Sequence, residues 1–209
     1  MWKNNNYESF DHFLEFFSSR NRKNLKKERR KIAEQDLEIK RFTGNQISLD
    51  VVDDFYSFYV DTHLRRSGHS GYLNKDFFEE ITQTIADNIL IILAYKNGQA
   101  VAGSFFFYDQ NNLYGRYWGA SNDYDALHFE CCYYQGIDFC IEKNIKRFDP
   151  GVQGEHKIKR GFEPTFTFSS HWIENHDFSI AISDFLLRED KYIKDYHQDA
   201  STLLPFKNI

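Results

Sequence analysis

The chain has 209 residues, a formal net charge of −5, 21 Phe and 13 Tyr but only three Pro. That length and aromatic content suit a packed globular protein and exclude a disordered or fibrous chain, while the net acidity argues against wholesale coating of nucleic acid. Three cysteines within ten residues of one another, Cys131, Cys132 and Cys140, make no disulfide framework, and no apolar run approaches the ~20 residues of a membrane helix, so a cytoplasmic location is expected.

In chain order, MWKNNNYESF lacks the apolar core of a signal peptide, and Ser9-Phe10-Asp11 before HFLEFF has the look of a helix start. Ser18-Ser19 can cap a second helix to about Gln35, with Leu25, Arg29 and Ile32 on one side and basic residues around most of the rest. Leu37 to Phe42 alternates as a strand does. Ser48 to Arg66 opens with acids in its first turn, and Val52, Phe55, Tyr56, Tyr59 and Val60 recur at helical spacing. Ser67 to Gly71 reads as a loop, and Asn74 caps a helix from Lys75 to Ala86. The period then changes. Ile89–Tyr95, Ala100–Tyr108 and Leu113–Ala120 are separated by Lys96-Asn97-Gly98-Gln99 and Asp109-Gln110-Asn111-Asn112, which predicts a three-stranded antiparallel meander. Ala126 to Lys143 reads as helix, Lys146 to Asp149 and Phe166 to Ile173 as strands, and a helical region is expected from near Ile180. The sum is an α+β chain with a mixed, mostly antiparallel sheet flanked by helices.

Charge is concentrated in one place. Residues 19 to 31 carry eight basic side chains against the single Glu28. Arg22, Lys23, Lys26, Lys27, Arg29 and Arg30 can track the phosphates of tRNA or of a nucleotide-linked cell-wall precursor; the plainer account is a solvated helix paired with the acidic remainder. On Leu113–Ala120, strict alternation would put Tyr114, Arg116 and Trp118 on one side and Leu113, Gly115, Tyr117 and Gly119 on the other. Arg116 between two aromatics suits an anionic or planar group, and equally a carboxylate across the sheet. Gly115 and Gly119 can let a neighbour or a ligand approach the backbone.

On the helix from Ala126, Glu130 and Tyr134 are four apart. Glu130 can accept a proton from an attacking amine, or it can simply anchor a neighbouring Arg, Lys or backbone donor. His128 with Cys131 or Cys132 lacks the further ligands of a zinc site, so no metal is expected. The stretch IKRFDPGVQGEHKIKRGF ends a strand at Asp149-Pro150-Gly151 and then delivers polar groups. Asp149 can orient an amine, His156 can act as base or donor, and Lys157 and Arg160, followed by Gly161-Phe162, suit phosphate or a developing oxyanion; His156 and Arg160 fall one helical turn apart. After Leu113–Ala120 there is no glycine-rich turn to cradle a pyrophosphate, and Asp123 and Asp125 stand there instead, which counts against acetyl-CoA as donor.

The basic helix SSRNRKNLKKERRKI together with LYGRYWGAS, LHFECCYYQGIDFCIE and RFDPGVQGEHKIKRGFEP resembles the Fem-like proteins of peptidoglycan biosynthesis or recognition, members of the GNAT-like acyltransferase superfamily. The likeness runs from about Trp2 to about Arg188. It implies one GNAT-like domain over 1–209, with a basic helical segment 1–36, an α+β core 37–188 and a C-terminal tail 189–209, equivalent to the C-terminal part of longer proteins that carry a second such half. It also implies transfer of an aminoacyl group from aminoacyl-tRNA to an amine of a peptidoglycan precursor. Under that reading Glu130 or Asp149 manages the amine proton, Tyr114, Trp118 and Tyr134 line the cavity, and Arg116, Lys157 and Arg160 hold anionic parts. Two rival readings are an N-acetyltransferase using acyl-CoA and a non-catalytic module binding tRNA or cell-wall fragments.

Overall fold

β3 (Ile89–Lys96), β4 (Gln99–Tyr108) and β5 (Asn112–Ala120) form the meander that the sequence predicts. Asn97 and Gly98, at φ 52° and 78°, are the two left-handed residues that a two-residue hairpin turn needs. At the next turn Asp109 accepts from the amides of Asn111 and Asn112 at 2.7 and 2.8 Å, bonds that hold its carboxyl below the ordinary range. This is a computed structural model, describing residues 1–151 and 154–207. β2 (Glu38–Thr43) pairs with β3, while β6 (Arg147–Asp149) runs parallel to β5 and is itself flanked by β1 (Trp2–Lys3), a two-residue edge strand too short to show in the sequence. The sheet order is β1-β6-β5-β4-β3-β2.

β3 is a continuous apolar run because both of its faces are covered: Ile89 through Ala94 are fully buried. On one face α3 (Leu49–Ser67) and α4 (Lys75–Thr84) bring Val52, Phe55, Tyr59 and Phe78 against Ile89, Ile91, Leu93 and Phe105. Ser48 and Asn74 cap these helices by accepting from the amides of Val51 and Phe77, and Gly68 ends α3 at φ 71°. On the other face lie α5 (Leu127–Phe129), a π turn (Glu130–Tyr134) and α6 (Gln135–Glu142). There Phe139 meets Tyr108 edge-on at 5.0 Å, and Gly136 sits so close to Phe148 that a Cβ would come within 2.6 Å of its ring. Each fully buried Phe, Leu or Ile contributes about 1.5–3 kcal/mol by leaving water. The basic helix is α2 (Ser19–Glu34), preceded by α1 (Phe10–Glu15), whose cap is the Ser9 hydroxyl.

The chain divides into two compact units, Trp2–Val152 with the whole sheet, and Gln153–Ile209 with Met1. In the second unit a 3-10 helix (Glu155–Arg160) is followed by α7 (His176–Thr202). The strand expected over Phe166–Ile173 does not form: those residues have no regular structure. α7 starts at His176, before the expected Ile180, because Asn175 accepts from the Phe178 amide, and it runs straight through the 188/189 boundary drawn for a tail.

Candidate functional site

In the first unit the sheet opens beside β5. β6 pairs with it only at Asn112↔Arg147, Leu113↔Phe148 and Tyr114↔Asp149, whereas β5 continues to Ala120. Among the described residues no strand lies along that edge of residues 116–120. Asp149 therefore stands where the two strands part. Its Oδ1 accepts from the Gly151 amide at 2.9 Å, which holds the turn.

Arg116 sits at a bulge. Phe105 pairs with Tyr117 and the next residue, Phe106, with Gly115, so Arg116 is the extra residue on β5. Tyr114 and Trp118 consequently face opposite sides of the sheet, not the same side as strict alternation would have it. Tyr114 lies opposite Phe107 on the α3 side, while Trp118 lies opposite Ser104, whose hydroxyl donates to Cys131 O at 3.0 Å on the α6 side. The same slip separates Gly115 from Gly119. Gly115 meets Phe106 and the Asp149–Pro150 backbone at ordinary distances, whereas a Cβ on Gly119 would be 2.2 Å from the Phe58 carbonyl oxygen of α3. Arg116 is exposed, with its guanidinium 5.7 Å from the Tyr117 ring centre, and Trp118 is half-buried against His128 at 5.4 Å.

Glu130, 3% exposed, is gripped by donors. Arg29 Nε and Nη2 donate to its two oxygens at 3.2 and 3.0 Å, and Gln135 Nε2 adds a bond of 2.7 Å. Arg29 also pairs with Asp138 at 2.7 Å and stacks on Phe10 at 4.5 Å. Burial works to lower the Arg29 pKa, but Glu130 and Asp138 outweigh it and the net shift is upward; for Asp138 burial wins over the Arg29 attraction and its carboxyl is raised. Glu130 is thus anchored by Arg29 and Gln135, the contacts that the second of its two readings expects. The π turn explains the partner. Its i→i+5 bond from the Gln135 amide to Glu130 O brings Gln135 beside the carboxylate, in place of Tyr134 as α-helical spacing predicts. Tyr134 is buried and donates to Glu28 on α2.

Arg29 is thus an inward member of the basic helix and is not available to a phosphate. Of the others, Lys26 pairs with Asp11 at 2.7 Å and Arg30 with Glu34 at 3.0 Å, while Arg22 is half-buried and Lys23 and Lys27 are exposed. Burial raises the thiols of Cys131 and Cys140, which are core cysteines and not nucleophiles. Among the described residues no group of three or more His, Cys, Asp or Glu is placed to hold a metal ion, and no helix is long and apolar enough to cross a membrane.

The second unit holds the other predicted cluster. Because Glu155–Arg160 is 3-10 and not α-helical, Lys157 and Arg160 share a face and are both buried, while His156 is exposed. Arg160 Nη1 donates to His156 O at 2.8 Å. Partial burial, then the charges of Arg160 and Lys157, depress the His156 pKa below its ordinary value. Gly161, at φ 87°, ends the turn and Phe162 is buried behind it. Sequence reasoning passed over one cluster altogether: His63 and His69, with Tyr59 and Tyr72. Its signal is a Tyr four residues before the first His and another three after the second.

A model of the FemAB-like family, described as peptidoglycan biosynthesis/recognition, matches residues 1–208. The chain belongs to this family. No curated protein matches the sequence. Among solved structures, a possible acetyltransferase from Clostridium difficile 630 is 13% identical with a TM-score of 0.50, over 66% of this chain and 99% of that one. An aminoglycoside acetyltransferase from an uncultured soil metagenomic sample is 12% identical with a TM-score of 0.46, over 68% and 97%. The C-terminal domain of a putative lysylphosphatidylglycerol synthetase from Agrobacterium fabrum is 14% identical with a TM-score of 0.48, over 65% of this chain and 43% of that one. The FemAB-like chain has the GNAT-like fold, with a mostly antiparallel six-stranded sheet flanked by helices.

Proposed function

We propose that this FemAB-like protein transfers an activated aminoacyl group to an amine of a peptidoglycan precursor, forming an amide. The observation that carries the reading, beside family membership, is the gap left where β6 departs from β5 at Tyr114↔Asp149. The free edge of β5 offers backbone groups to an extended donor or acceptor, and Asp149 sits at the mouth of the gap. In the step, the amine nitrogen attacks the acyl carbon, a new C–N bond forms, the C–O bond to the donor breaks, and the departing oxygen takes up the proton that the nitrogen loses. Asp149 receives that proton in transit on the oxygen that does not hold the Gly151 amide. Arg116, exposed at the bulge beside the gap, meets an anionic part of either substrate.

An aminoacyl ester is favoured over acyl-CoA by the segment after β5. The Ser121 amide is committed to Val101 O at 2.9 Å and the Asp125 amide to the Gln35 side chain at 3.0 Å, and the exposed Asp123 carboxylate repels a pyrophosphate, while that of Asp125 is paired with Lys31. Incubation with aminoacyl-tRNA and a cell-wall precursor bearing a free amine, followed by mass spectrometry, is expected to give the aminoacylated product, and calorimetry with acetyl-CoA is expected to show no saturable heat. Absence of the amide, with saturable acetyl-CoA binding, would transfer the assignment to a coenzyme A enzyme.

A further inference from the structure

We propose that α3 and the loop after it carry a recognition site for a hydroxyl of a sugar in the acceptor, built from His63, His69, Tyr59 and Tyr72; this rests on the reading of the chain as a transferase acting on a peptidoglycan precursor. Two hydrogen bonds set the imidazoles in opposite tautomers. His63 Nδ1 lies 2.8 Å from the Tyr59 carbonyl oxygen. A carbonyl only accepts, so Nδ1 carries a proton, and in the neutral ring Nε2 keeps the lone pair. The Gly71 amide donates to His69 Nδ1 at 3.1 Å. An amide N–H only donates, so Nδ1 is bare and the proton of the neutral ring is on Nε2.

One ring is therefore left with an acceptor and the other with a donor, and their ring centres are 6.0 Å apart; the proposed site has a single oxygen between the two Nε2 atoms. A hydroxyl satisfies both, accepting from His69 and donating to His63. A carboxylate has no proton for His63, an ammonium has no lone pair for His69, and a metal ion would find the His69 lone pair already spent on Gly71.

Beside this pair the Tyr72 ring is 88% exposed and 4.9 Å from His69, ready to cover the C–H face of a pyranose whose hydroxyl the imidazoles hold. The loop is fixed before any ligand arrives. The Tyr59 hydroxyl accepts from the Tyr72 and Leu73 amides at 3.1 and 3.2 Å, and Gly71, at φ 96°, lies so near the Tyr59 ring that a Cβ would be 2.5 Å from it. The cluster adjoins the open end of β5: Tyr59 meets Tyr117 edge-on at 5.2 Å, and Arg65 donates to Ala120 O.

The test uses the full chain labelled with 15N-histidine. Long-range nitrogen spectra should show His63 with its proton on Nδ1 and His69 with its proton on Nε2. Titration with the N-acetylglucosamine–N-acetylmuramic acid disaccharide should shift both Nε2 resonances saturably, and Tyr72→Ala, which removes an exposed side chain without touching the fold, should weaken that binding about tenfold. His69→Phe should abolish the shift at His63. No saturable shift, or a Tyr72→Ala protein that binds as the wild type does, overturns the site. Transfer to a sugar-free peptide with an unchanged KM also overturns it while leaving the acyltransferase reading intact; disaccharide binding without any amide product supports the site and defeats that reading instead.

Discussion

Removing the Arg29 guanidinium would strand a carboxylate that is 3% exposed, with Gln135 as its remaining donor. Arg29→Met is therefore expected to destabilise the protein by about 3–5 kcal/mol in urea unfolding. Arg30→Ala, which breaks an exposed i,i+4 pair with Glu34, is expected to change stability by less than about 0.5 kcal/mol. Equal effects would contradict the distinction between inward and outward arginines on α2. His156 supplies a pH signature. Its folded pKa lies below the ordinary 6.5, so the unfolded chain binds the extra proton first. Its contribution is therefore neutral above pH 6.5, turns unfavourable as pH falls from there to the lower native value, and levels off below that. His156→Gln should flatten this part of the stability profile, and an unchanged slope would contradict the shift. At this scale the sequence offered Glu130 two roles and could not choose between them, because its partner is 101 residues away on α2. Leu25, Arg29 and Ile32 were legible as one side of that helix, but what that side meets was not.

At the scale of elements, the two glycines of β5 make opposite predictions. Gly119→Ala drives a Cβ to 2.2 Å from a backbone oxygen of α3 and should cost about 3 kcal/mol. Gly115→Ala meets only ordinary contacts and should cost less than about 1 kcal/mol. Thermal unfolding of both variants checks this, and comparable losses would contradict the bulge that sends them to opposite faces. The meander was readable because β3 is a pure apolar run and Asn97-Gly98 is the turn its hairpin needs. The bulge was not, since a period of two contains no signal for one inserted residue, and neither was the π turn, where five residues replace the four of an α-helical repeat. Phe166–Ile173 has strand composition but gains no ladder partner, and composition alone does not make a strand.

For the whole molecule, topology and family agree. A meander joined by one parallel pairing to β6 leaves a gap in the sheet at the end of that pairing, and the match over residues 1–208 ties it to the FemAB-like family. The motif strings carried that kinship in the sequence. The gap itself was not legible, because it depends on how far β6 follows β5. The account rests on chemistry at that gap, and Asp149→Asn tests it most directly. Asparagine keeps an oxygen for the Gly151 amide, so the turn should hold and stability should be unchanged, while the amide can no longer take the amine proton. We predict a 10²–10⁴-fold fall in kcat, roughly the worth of a general base, with little change in KM. A folded Asp149→Asn protein with full turnover in the aminoacyl-transfer assay would contradict the account.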